Sequence, residues 1–88
     1  MKANRYNDAR NIVGKRVRAA RKKLKEPITQ QDLSARLGVM GVNIDRVSIS
    51  KIESCQRFVA DFELLALASA LEVSTHWLLT GEDSPPVK

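Results

Sequence analysis

Eighty-eight residues make one domain, and at this length only about 60–65% of the unfolded chain's surface is buried, so the core must be compact. With 43% apolar and 28% charged residues the chain reads as globular, and its formal charge of +5 points to an acidic partner. A lone cysteine (Cys55) excludes an internal disulfide, one histidine makes a protein-only metal site improbable, and no stretch nears the roughly 20 apolar residues of a membrane span.

Residues 1–11 are polar and show no apolar period, which predicts a loose N-terminal arm. From Val13 an apolar row runs through Val17, Ala20 and Leu24, one stripe of an amphipathic helix whose other faces carry Lys15, Arg16, Arg18, Lys22 and Lys23. Pro27 forbids further helix and pushes Glu26 out of it. Thr29 restarts the chain as an N-cap with Asp32 three residues on, Leu33 and Leu37 form the buried side, and Gly38 is expected to supply a left-handed C-cap. A connector, Val39 to Ile44, follows, in which Val42 and Ile44 are expected to fold back on the core.

Asp45 is the expected N-cap for the third helix, roughly Arg46 to Ser54, with Asn43 as the competing choice. Ile49 and Ile52 face inward, which leaves Arg46, Val47, Ser50 and Lys51 outward. A fourth helix is expected near Asp61 with Leu64, Leu65, Ala68 and Leu71 as its apolar row. Ser74 caps a short fifth helix, Thr75 to Thr80, ended by Gly81, and Trp77 within it is a core or dimer-interface anchor. The tail, residues 82–88, has no pattern and contains Pro85-Pro86, so disorder is expected there. The fold class is all-α with five helices, in a domain spanning residues 12–81.

Charge is unevenly placed. Residues 1–26 hold ten basic against two acidic side chains, while residues 58–88 hold one against five. A basic lobe with an acidic far end suits a polyanion-binding domain, although charge alone is equally compatible with a solvated helix face.

Six stretches in order resemble the phage-repressor and Cro type of helix-turn-helix, the Xre family: V-G-K-R-V-R at 13–18, I-T-Q-Q-D-L at 28–33, L-G-V at 37–39, S-I-S-K-I-E at 48–53, L-L-A-L-A-S-A-L at 64–71 and V-S-T-H-W-L-L-T-G-E at 73–82. The resemblance implies a compact lambda-repressor-like domain with the helix-turn-helix at helices 2 and 3. In such a domain the third helix enters the major groove, where each base pair shows a distinct donor and acceptor pattern. Carried over residue by residue, it implies DNA contacts at Thr29, Gln30, Arg46, Val47, Ser48, Ser50, Lys51 and Arg57. Arg46 and Lys51 suit guanine, Ser50 most base edges, Val47 a thymine methyl, Gln30 and Arg57 phosphates. Thr29 is at least as well explained as a cap alone. The resemblance also implies a structural ion pair between Arg21 and Glu53.

Three departures stand out: the turn between helices 2 and 3 is about five residues longer than the usual three or four, Ser54-Cys55 replaces the usual Asn-Gly, and the first connection is about two residues longer. A cysteine takes the left-handed conformation less cheaply than glycine. The function implied is a sequence-specific transcriptional regulator (repressor or controller protein), cytoplasmic, binding a double-stranded operator as a homodimer, with no cofactor and no membrane partner. The alternative is an antitoxin-type protein that binds a toxin and autoregulates its operon. No nucleophile–base pair, carboxylate cluster or phosphate loop suggests an enzyme.

Overall fold

The computed structural model describes residues 8–82 and folds them into five helices, with no strand among the described residues. Residues 1–7 and 83–88, which carry most of the expected arm and tail, lie outside the described residues.

The first helix, α1 (Gly14–Lys23), is started by a side chain that lies within the expected arm. Asn11 Oδ1 accepts from the backbone N–H groups of Val13 and Gly14 at 3.0 and 2.8 Å, satisfying two of the donors that a helix start leaves free. Its Nδ2 donates to the carbonyls of Ile52 and Arg57 at 3.1 and 2.8 Å, and the Arg10 N–H reaches the Cys55 carbonyl at 3.0 Å. Residues 10 and 11 therefore belong to the domain rather than to an arm. Helix α1 ends one residue before Leu24, which turns into extended backbone and is half-buried.

Helix α2 (Gln30–Val39) opens with a complete capping box: Thr29 Oγ1 accepts from the Asp32 N–H, and Asp32 Oδ2 accepts from the Thr29 N–H, both at 3.0 Å. Its end corrects one expectation. Gly38 is helical, and the left-handed residue is Gly41 (φ +82°). The Gly41 N–H reaches the Gly38 carbonyl at 3.0 Å and the Val42 N–H the Leu37 carbonyl at 2.9 Å, a Schellman closure in which Val42 folds onto the core. The helix thus takes Val39 from the long connector, and the end of the connector is packed: Ile44 is buried and its carbonyl accepts from Ser34 Oγ at 2.7 Å.

Helix α3 (Arg46–Glu53) is capped by Asp45, whose Oδ1 accepts from the Ser48 N–H at 2.8 Å. Ile49 and Ile52 are fully buried. Cys55 then adopts φ +63° and closes a second Schellman turn, its N–H on the Ile52 carbonyl and the Gln56 N–H on the Lys51 carbonyl. Here a cysteine occupies a conformation that costs a non-glycine residue roughly 1–2 kcal/mol.

Helix α4 (Asp61–Leu71) begins one residue earlier than Asp61 as a cap would place it. Ala60 is the N-cap and Asp61 the first helical residue, and the Glu63 carboxylate reaches back to the Ala60 N–H at 3.0 Å. Its buried residues are Glu63, Ala66, Leu67, Ala68, Ala70 and Leu71, whereas Leu65 is 66% exposed. Of the expected row, Ala68 and Leu71 are buried and Leu64 packs against the core, while Leu65 points outward; the stripe also opens on a buried carboxylate, a position that an apolar pattern skips. Helix α5 (Thr75–Thr80) is capped by Ser74, buries Leu78 and ends at the left-handed Gly81. Helix α4 packs against α1, α2 and α5, while α3 is held between α1 and α2. Val17, Leu33, Leu37, Ile49, Ile52, Leu67, Leu71 and Leu78 form one dry centre.

Candidate nucleic-acid interface

Burying Ile49 and Ile52 turns the opposite side of α3 outward. Arg46, Val47, Ser50 and Lys51 are all exposed there, with Val47 at 52%. This face offers two long cationic donors, a hydroxyl and one apolar spot, the mixture that distinguishes base pairs in a major groove. Ser48 is half-buried with its N–H spent on the Asp45 cap, so only its side chain is left for a partner. The Asp45 carboxyl is held below its usual range chiefly by the Ser48 N–H hydrogen bond, with Arg57 and Arg46 adding to the effect.

The pose of α3 is set by a buried polar bridge. Arg21 of α1 meets Glu53 of α3 in a bidentate pair, Nε to Oε2 at 2.8 Å and Nη2 to Oε1 at 2.9 Å, with both side chains at most 10% exposed. Arg21 Nη1 also donates to the Ile28 carbonyl at 3.0 Å, and the hydrogen bond to Glu53 raises the guanidinium pKa above its ordinary value. Gln30 of α2 completes the network, its Nε2 donating to Glu53 Oε1 at 3.1 Å. One carboxylate therefore ties together three helices. The planar guanidinium suits this fork better than an ammonium would.

The bridge lies beneath a surface notch lined by Arg21, Lys22, Pro27, Ile28, Thr29, Gln30, Gln31 and Arg46. The start of α2 faces it with the partial positive charge of a helix N-terminus, which favours an anion. Lys22 belongs to this notch. As one of a run of lysines in the sequence it suggests only long-range attraction; the notch places it beside Gln30 and Arg46. Thr29 spends its hydroxyl oxygen on the Asp32 N–H, so it acts as a cap.

Arg57 is placed differently from the phosphate contact expected of it. Its Nη1 and Nη2 grip Glu63 at 2.9 and 2.8 Å, and Nη1 also donates to the Phe58 carbonyl at 2.9 Å. The pair raises the Arg57 pKa and lowers that of Glu63, in both cases mainly through their mutual hydrogen bonds. Glu63 is buried, so releasing Arg57 to a phosphate would strand a carboxylate, and the geometry makes Arg57 a strut for the loop after α3.

Asn11 lies outside every motif stretch. Gly14 lies within the V-G-K-R-V-R stretch, and the structure gives its role: a Cβ there would collide with the Ile52 carbonyl oxygen at the end of α3 and come within 3.1 Å of Cys55 Sγ. Only the hydrogen of a glycine fits there, and the contact lets α1 approach the C-terminal turn of α3 closely.

Neither a protein-family model nor a curated protein matches the chain. Among solved structures, the chain is similar to the P22 c2 repressor protein crystallised in complex with synthetic operator 9T in the presence of Tl+. The likeness has 38% sequence identity and a TM-score of 0.67, and covers 82% of this chain and 98% of that one. With that identity over nearly the whole of the crystallised repressor chain, and an all-helical architecture, the chain belongs to the phage-repressor family of helix-turn-helix proteins.

Proposed function

We propose that this protein is a sequence-specific regulator of transcription that occupies double-stranded operator DNA in the cytoplasm, without catalysing a reaction. The observation that carries this reading is the outward face of α3, polar and cationic, clamped to α1 and α2 through Glu53. The similar P22 repressor was crystallised with operator DNA, which supports the same partner class here. In this reading Arg46 and Lys51 donate to base edges, Ser50 and Ser48 add hydroxyls, and Val47 meets a thymine methyl. Gln30, Thr29 and Lys22 line the phosphate side at the start of α2.

The functional unit is a homodimer. One eight-residue reading helix spans few base pairs, so two copies a helical turn apart are needed for specificity. Phe62 and Leu65 lie one turn apart on α4 at 63% and 66% exposure, with Phe58 at 50% just ahead of them, and apolar surface of this kind favours a second copy. Selection of bound duplexes from a random pool tests the proposal. Enrichment of a two-fold symmetric sequence, with half-sites about 10 base pairs apart or a multiple of that, supports it. A pool that stays random after repeated rounds refutes it.

A further inference from the structure

The segment between α2 and α3 departs most from a short helix-turn-helix connection, and it is firmly held. Val42 is fixed by its N–H on the Leu37 carbonyl and packs against the core, and Ile44 is 3% exposed with its carbonyl on Ser34 Oγ. Asn43 sits between these two anchors and is exposed. Its side-chain amide makes no hydrogen bond among the described residues. With Ser34, Ile44, Asp45 and Ser48 it lines a notch beside the first turn of α3.

We propose that Asn43 is an additional DNA contact, its amide donating to a backbone phosphate at the rim of the groove that α3 enters. The inference rests on the operator-binding reading above. In a helix-turn-helix the N-terminal residues of the reading helix meet the base edges. A residue three positions before Arg46, outside the helix, then falls beside the sugar-phosphate wall rather than the groove floor. The neighbouring Asp45 is no obstacle, because its carboxylate holds the Ser48 N–H and has Arg46 and Arg57 nearby. Anchors on both sides pre-order the Asn43 backbone, so a contact costs little further entropy. The long turn thereby adds contact surface that a short one lacks.

The test uses the full chain, a labelled duplex of about two helical turns carrying the selected site, and a panel of single-base variants of it. Asn43→Ala should weaken binding about ten- to a hundredfold across the panel, since one hydrogen bond to a charged group is lost, and should leave the salt slope unchanged. Asn43→Lys should tighten binding and steepen the slope of log affinity against log salt by about 0.9, one extra counterion released. Both should melt as the parent does. Parent-like binding by both variants, while Arg46→Ala loses affinity, overturns the proposal and leaves the reading of α3 intact. Parent-like binding by Arg46→Ala as well removes that reading and the proposal together. A loss by Asn43→Ala confined to one base position also overturns it, because the contact would then be to a base.

Discussion

Replacing Gly14 by alanine sets two physical effects against one another. In a helix, alanine is better than glycine by up to about 1 kcal/mol, less in the first turn, so the isolated α1 segment would gain. In the fold, the added Cβ meets the Ile52 carbonyl oxygen, a backbone atom that cannot swing aside. Helix α1 must then back away from the end of α3, which stretches the Asn11 bonds to Ile52 and Arg57 and disturbs the Arg21–Glu53 pair. Overpacking of this kind costs about 1–3 kcal/mol, and at a rigid contact the upper half of that range applies. The net expectation for Gly14→Ala is a loss of about 1–2 kcal/mol, or a Tm lower by roughly 5–15 °C in a domain of this size. Thermal unfolding followed by circular dichroism reads the change directly. A variant that melts at or above the parent would refute the close α1–α3 contact, since only helix propensity would then remain.

Arg21→Ala leaves Glu53 buried without its partner and should cost about 3–5 kcal/mol in urea unfolding; a loss below 1 kcal/mol would mean that the bridge is solvated. Glu63 has a folded pKa below its ordinary 4.5, so its contribution is complete above that pH and disappears as pH falls through the folded value. The parent should therefore lose stability with falling pH below about 4.5 more steeply than Glu63→Gln does, and parallel acid limbs for the two would contradict the Arg57 pairing. Replacing both Val42 and Ile44 by serine should lower stability by a few kcal/mol, as core truncations do, with binding falling only as far as unfolding explains. Normal melting of that double variant would show that the connector is not packed.

Local signals in the sequence carried much of the fold. Thr29, Asp45 and Ser74 announce helix starts because their short oxygens satisfy amides within three residues, and the structure finds all three as caps. Ile49 and Ile52 establish which face of α3 is buried, and thereby which face is open. What escaped the sequence depends on distant partners. Asn11 sits in a polar stretch, and its role comes from carbonyls 41 and 46 residues away. Glu63 escapes as part of the buried side of α4 because a carboxylate reads as exposed until its guanidinium partner is known. Arg57 reads as a free cation for the same reason. At the end of α2 the sequence points to Gly38 as the stop, and the packing of Val42 on the core moves the left-handed residue to Gly41.

The central claim is that the outward face of α3 reads base pairs, and one measurement tests it most directly: affinities of the parent, Arg46→Ala and Lys51→Ala across every single-base variant of the selected operator. Each substitution should lose about 1–3 kcal/mol on the best site and relax discrimination at one position, with melting unchanged because both residues are exposed. If both variants keep the parent's affinity and its full base preference, α3 is not the reading element.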